Sequence, residues 1–173
     1  MAVLPLCHLP HPILRRKTQR VQRIDASIQR LIDDMTETMH AEHGVGLAAN
    51  QVGVPLRICV IGIPEEEMVR VLINPEMVVR RGELELDEGC LSIPEYRGRV
   101  HRALHVRVRA QDRDGNAIRI KAEDNLLAQA LQHEIDHLNG ILYIDHLVSK
   151  DAIWKLSDAV SYTHLTLPTK RIV

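Results

Sequence analysis

The chain has almost no aromatic side chains: Phe is absent from its 173 residues, and one Trp and three Tyr make up 2% of them. Any core must therefore be aliphatic, built from Leu, Ile, Val, Ala and Met. The stacked rings on which single-strand nucleic-acid binders lay bases are also missing. Cysteine is scarce too. Cys7, Cys59 and Cys90 are odd in number and scattered, which argues against a disulfide framework and for a reducing compartment. A special cysteine in such a chain is more readily a ligand or a nucleophile than a bridge. Charge of one sign is not in excess. Twenty-two basic residues meet 23 acidic ones for a net charge of −1, so no whole-chain field recruits nucleic acid or a membrane. No run approaches the ~18 apolar residues of a membrane span. Residues 1–12 hold three prolines, and Arg15-Arg16 follow the apolar residues instead of preceding them, unlike a secretory signal.

What remains is ordinary for a soluble globular protein, with 45% hydrophobic and 26% charged residues, and the length suffices for one core without staples. Residues 4–23, rich in proline and mixed charge, have no clear periodicity and read as an extended arm. Ile24, Ile28, Leu31, Ile32, Met35 and Met39 recur at helical spacing, with Asp25 as a cap and Gly44 as a stop, which predicts an amphipathic helix over residues 25–42. Residues 44–53 then gather small residues around Asn50 and Gln51. Such a stretch either lines a ligand cleft or makes a tight loop between helix and strand, and it lacks the spacing of a dinucleotide or phosphate loop.

Short β-like runs follow over residues 57–63, 69–74, 77–86 and 100–111. In the last, Leu104, Val106, Val108 and Ala110 alternate with His105, Arg107 and Arg109, the pattern of a half-buried strand with a basic outer face. Asp112-Arg113-Asp114-Gly115 supplies a turn and residues 117–122 return as its partner. With no helix between these runs, the fold class is α+β with mainly antiparallel sheets. A second helix starts at Asp124 or Asn125, buries Leu126, Leu127, Ala130, Leu131 and Ile135, and stops at Asn139-Gly140. Residues 141–144 are expected to add a strand, and residues 151–160, with Trp154, a short C-terminal helix. Residues 161–173 alternate Thr and Leu without a helical stripe. They read as a foreign or read-through tail of doubtful native origin, behind a single domain over residues 1–160.

The second helix carries H-E-x-x-H as His133, Glu134 and His137. One helical turn stacks the two imidazoles on one face, about 5–6 Å apart and able to share a metal ion, with Glu134 flanking them. The spacing alone also fits a charged surface helix. Cys90, in Glu88-Gly89-Cys90-Leu91-Ser92, is either a small buried hydrophobe or a third ligand. Three ligands are what a catalytic site needs, because the fourth position stays open. A structural site would close with four, and Cys7 and Cys59 offer no C-x-x-C pair. The fold is therefore expected to pack its sheets around a central metal-binding helix.

Three blocks in order, Gly44-Val45-Gly46-Leu47-Ala48-Ala49-Asn50-Gln51, Glu88-Gly89-Cys90-Leu91-Ser92 and Gln132-His133-Glu134-Ile135-Asp136-His137, make the chain resemble the peptide deformylases. The resemblance extends from about His11 to Leu156. Asn50 stands where that family often has Thr or Pro, and Asn125 where Gly is common. The resemblance implies removal of the N-formyl group from the initiator methionine of nascent polypeptides, with release of formate. It implies metal ligation by Cys90, His133 and His137, general acid/base action by Glu134, oxyanion stabilisation by Gln51 and the Leu91 N–H, and a hold on the peptide backbone by Gly46. The cofactor implied is one divalent ion. Ligand softness alone suits Zn²⁺, whereas the family implies Fe²⁺, replaceable by Zn²⁺, Ni²⁺ or Co²⁺.

Val45, Ile93, Leu126 and Ala130 are the choices for a methionine pocket and Arg97 for a hydrogen bond further along the peptide; each is equally readable as core or ordinary surface. The partners implied are N-formyl-methionyl nascent peptides. Some members also contact the ribosome through a basic C-terminal helix. Here Lys150 and Lys155 are nearly the only positive charges there, so no more than transient contact is expected. No direct nucleic-acid motif and no membrane segment is read, and the expected location is the cytoplasm of a bacterial-type cell, with an organelle origin open. A zinc metallopeptidase is the rival enzyme. It would draw a third ligand from downstream, where the histidines are His146 and His164. A binding module that had lost activity would show decay of Gln51 or Glu134, and both are present.

Overall fold

The computed structural model describes residues 1–156. Residues 157–173 lie outside that description, and with them the expected domain end at 160, the tail and the last four residues of the expected C-terminal helix. Asp25 starts the first helix as its cap, its carboxylate accepting from the N–H groups of Ser27 at 2.9 Å and Ile28 at 3.2 Å. Behind it α1 (Ala26–Ala41) buries Ile28, Ile32, Met35 and Met39 as one stripe. The chain then forms β1 (Gly46–Ala48), a short 3-10 turn (Ala49–Val52), β2 (Ile58–Ile61), β3 (Arg70–Arg81), β4 (Leu84–Cys90), β5 (Ile93–Arg102), β6 (His105–Gln111) and β7 (Ala117–Glu123). After these come α2 (Leu126–Leu138), a 3-10 turn (Tyr143–His146) and β8 (Ile153–Lys155).

Every strand pairing is antiparallel, in a five-stranded sheet of order β1-β2-β3-β6-β7 and a three-stranded sheet of order β4-β5-β8. The described residues are thus α+β with antiparallel sheets and two helices. Neither helix is long and apolar enough to cross a membrane.

Several boundaries differ from the expected ones. Residues 44–53 are not merely a loop, because Gly46, Leu47 and Ala48 pair with Ile61, Val60 and Cys59 and add an edge to the larger sheet. The run over 100–111 is cut in two where the chain changes sheets. At the cut, Gln132 of α2 holds both backbone groups of Ala103, accepting at 2.8 Å and donating at 3.0 Å. The runs over 69–74 and 77–86 are divided differently: β3 continues past Asn74-Pro75 through a register shift. Residues 141–144 do not form a strand. The Asp145 carboxylate accepts from the Leu142 N–H at 2.9 Å and the Asp145 N–H donates to the Leu142 carbonyl at 2.9 Å, which curls the segment into its 3-10 turn. In the expected C-terminal helix, Ile153–Lys155 is instead a strand, because Tyr96, Arg97 and Gly98 of β5 offer a free sheet edge.

The site is positioned by the two faces of α2. Leu127, Leu131, Ile135 and Leu138 enter one aliphatic cluster with Val106, Val108 and Ala122 of the larger sheet. The opposite face directs Gln129, His133 and Asp136 toward β4 and β5, with Gln129 Nε2 donating to the Asp87 carbonyl at 3.2 Å. Asn125 caps this helix through the Ala128 N–H at 2.8 Å.

Candidate metal centre

His133 and His137 lie one turn apart on α2, with ring centroids separated by 4.8 Å. Their Nε2 atoms face each other at 3.1 Å, and the sulfur of Cys90, at the end of β4, lies 3.2 Å from His137 Nε2. All three ligand atoms fall within 4.8 Å of one another, and all three residues are buried. Bonds of about 2.0–2.3 Å to a tetrahedral ion require donor separations of about 3.3–3.7 Å, close to those observed. Two imidazole nitrogens and a sulfur, buried and aimed at one point, suit a divalent cation of intermediate softness.

The support around His133 strengthens that fit. Its Nδ1 lies 2.5 Å from Glu88 Oε1, so it donates to that carboxylate and turns Nε2 toward the other two donors. Glu88 is wholly buried and is gripped by Arg102 through Nη2 at 2.5 Å and Nε at 3.0 Å. The other end of the Arg102 fork donates to Asp136 Oδ2 at 2.5 Å, and His146 Nε2 meets the same oxygen at 2.9 Å. Burial opposes the Glu88 charge, but Arg102 and His133 override it and hold the carboxyl far below its usual range. Burial likewise opposes a charge on His133, yet the Glu88 carboxylate and the Cys90 sulfur raise its pKa well above the usual imidazole value. Burial and the charge on His133 push His137 the other way. The centre therefore tolerates one positive charge and disfavours a second proton.

Glu134 is 1% exposed. Neither of its carboxylate oxygens bonds to any protein group among the described residues, and burial raises its pKa to about 7. It abuts Gly46 of β1, where an added Cβ would stand 2.4 Å from Oε1. Gln51 is oriented from both ends: its Oε1 accepts from the Ala48 N–H at 2.9 Å, and its Nε2 donates to Ser92 Oγ at 3.1 Å and faces Cys90 Sγ at 3.7 Å. Leu91 adjoins Cys90 and is buried with the cluster packed on α1.

Of the other expected site residues, Val45 and Ala130 are fully buried in the cluster beneath α2, with the half-buried Leu126 packed against it. Ile93 belongs to a separate cluster with Cys90 and Tyr143. Arg97 stands on β5 opposite Gly89. His146, a ligand only in the peptidase reading, is joined to Asp136 and not to the three converging donors. His164 lies outside the described residues.

Sequence reasoning missed the buried Glu88-Arg102-Asp136 ion network and Asn50, whose Nδ2 donates to the His137 carbonyl at 2.6 Å. A signal existed for Glu88, which precedes Cys90 by two positions on a strand, the period that returns to the same face. None existed for Arg102, one arginine among many.

A family model described as polypeptide deformylase matches residues 3–152 of the chain. The peptide deformylase of Dehalococcoides mccartyi (strain CBDB1) is 51% identical over 156 residues, spanning 90% of this chain and 93% of the relative. Among solved structures, a peptide deformylase from Legionella pneumophila superposes with a TM-score of 0.83 at 44% identity, covering 92% of each chain. One from Synechococcus elongatus in complex with actinonin gives 0.82 at 36% identity, covering 98% of this chain and 91% of that one.

Proposed function

Because the chain belongs to the polypeptide deformylase family and so removes the N-formyl group from the N-terminal methionine of nascent polypeptides, we propose that the convergence of Cys90, His133 and His137 beside Glu134 is its active centre. That convergence is the observation that carries the assignment. The reaction is hydrolysis of an amide, releasing formate and a free amino terminus. Cys90, His133 and His137 would hold a divalent ion, and the chemistry it would supply there is that of a Lewis acid.

In this reading Glu134 takes the proton of the attacking water and returns it to the leaving amine. Its burial and its unpartnered oxygens support that role, since no fixed hydrogen bond competes for the proton. Charge then collects on the formyl oxygen, where Gln51 Nε2 and the Leu91 N–H act as donors. One such donor is worth about 2.7–4 kcal/mol in comparable sites. The clamp on Gln51 from Ala48 and Ser92 supports its assignment, because it turns the amide nitrogen toward Cys90.

Gly46 holds the substrate backbone, supported by how closely β1 approaches Glu134. The methionine side chain meets an apolar surface made by Val45, Ile93, Leu126 and Ala130, and Arg97 bonds the peptide further along. Ile93 has the best support, sharing a cluster with Cys90, whereas Val45, Leu126 and Ala130 share a separate one. The native ion in this proposal is Fe²⁺, with Zn²⁺, Ni²⁺ and Co²⁺ as substitutes. The catalytic unit is one domain over residues 1–160, any ribosome contact is transient, and the location is cytoplasmic, a reading supported by three unpaired cysteines.

The test is formate release from formyl-Met-Ala-Ser by Fe²⁺-, Zn²⁺-, Ni²⁺- and Co²⁺-loaded protein, with bound metal measured in parallel for Glu134→Ala. The substitution should leave one ion bound while turnover falls about 10²–10⁴-fold. Unchanged turnover would remove Glu134 from the mechanism, and loss of the ion on Glu134→Ala would make it a ligand instead.

A further inference from the structure

The active centre uses one side of the five-stranded sheet, and the other side carries an unexplained charge. Val106, Val108, Ala110 and Ala122 face inward to α2, so strand alternation turns the intervening residues out. Three rows cross the outer face: Arg81, His105 and Glu123; Val79, Arg107 and Lys121; Glu76, Arg109 and Arg119. Glu76 accepts from Arg109 at 2.8 and 2.6 Å and from Arg20 at 2.7 Å. Glu123 lies 3.1 Å from His105. Among the described residues no ion-pair partner is left for Arg81, Arg107, Arg119 or Lys121. Shallow grooves of about 540, 480 and 360 Å³ run between these side chains. The near-zero net charge of the chain conceals this face completely.

Protection of a sheet edge explains basic residues on β7, the last strand. It does not explain Arg107 and Arg109 on β6, an inner strand. Nor does it explain like charges set directly opposite one another, Arg107 against Lys121 and Arg109 against Arg119, which weakens strand pairing. Arrangements of this kind are relieved by an anionic partner. The hydrogen-bonding character of the face narrows the choice. Guanidinium and ammonium groups only donate, so a peptide's N–H groups would find few acceptors here, whereas phosphate oxygens only accept. No Phe, Tyr or Trp stands in these rows to stack a base, and the one imidazole, His105, is held against Glu123, so recognition would be of backbone and not of sequence. We propose that the outer face of β3, β6 and β7 is a docking surface for the phosphodiester backbone of RNA. The substrates are nascent polypeptides, made on an RNA-rich particle, and a molecule docked by this face keeps its α2 side free.

The experiment measures binding of a labelled RNA duplex of about 20 base pairs by fluorescence anisotropy. With about four phosphates neutralised, affinity should fall about a hundredfold between about 50 and about 200 mM salt. The triple substitution Arg107→Gln, Arg119→Gln, Lys121→Gln should weaken binding and flatten the salt slope by about three. A second variant, Arg107→Lys with Arg119→Lys, should retain binding. All forms should release formate from formyl-Met-Ala-Ser at the wild-type rate, because none of these residues adjoins the centre. RNA binding unchanged in the triple variant would overturn the proposal. Displacement by polyglutamate as effective as by unlabelled RNA would overturn it too and assign the face to an acidic protein segment.

Discussion

At the residue scale, the centre depends on what is absent from Gly46 as much as on what its ligands provide. A methyl group there would stand 2.4 Å from Oε1, 2.8 Å from Cδ and 2.9 Å from Cγ of Glu134, so the carboxylate would have to move. Gly46→Ala is expected to lower turnover by about 10²-fold, the scale of a 1 Å misplacement, with one metal ion still bound; equal turnover in the formate assay would contradict that. Arg102 is the second instructive residue. It separates two buried carboxylates, Glu88 and Asp136, and leaves each ion-paired. Arg102→Met would take the buried cation from both, leaving Glu88 with His133 and Asp136 with His146 and Arg80, a loss of about 3–5 kcal/mol in urea unfolding. By releasing Glu88 from its fixed orientation against His133, it should also weaken metal binding about 10–100-fold. His133, Glu134 and His137 were legible because they fall at a short spacing in the chain, and Cys90 only through the resemblance carried by its block. Arg102 was not legible, because a long side chain reaching across a sheet leaves no local pattern.

At the element scale, α2 joins fold and chemistry, since one stripe anchors it to the larger sheet while the opposite stripe presents the imidazoles to β4. Its start was readable to within Asp124 or Asn125, the structure makes Asn125 the cap, and that cap should be measurable. Asn125→Ala removes the acceptor for the Ala128 N–H and is expected to cost about 1 kcal/mol, lowering Tm by about 2–4 °C. A melting curve that does not shift would mean the cap is replaced by solvent. The helices were legible because their periodicity and caps are local. The strands were less so. The run over 100–111 alternates from Leu104 to Ala110, and it divides between two sheets at Ala103, where Gln132 grips the backbone. Residues 153–155 have no strand signal of their own and pair because β5 leaves them an edge.

At the scale of the whole molecule, the larger sheet has two unlike sides, an aliphatic one that seats α2 and a donor-rich one that faces outward. That division was written in the alternation of Val106, Arg107, Val108 and Arg109, although a net charge of −1 gave no hint of it. By itself the sequence determined whatever depends on neighbours in the chain: the α+β class, both helices with their caps, the 112–115 turn, the imidazole pair with its adjacent carboxylate, and the basic alternation. Tertiary structure alone decided whatever depends on distance across the chain. It brought Cys90 to His137 from 47 positions away, buried Glu88, Arg102 and Asp136 as one network, pressed Gly46 against Glu134, and distributed the strands between two sheets. The reason is physical. Hydrogen-bonded turns and periodic burial are short-range and recur in composition, whereas ligand convergence and buried ion pairing follow from how the sheets and α2 close around one core.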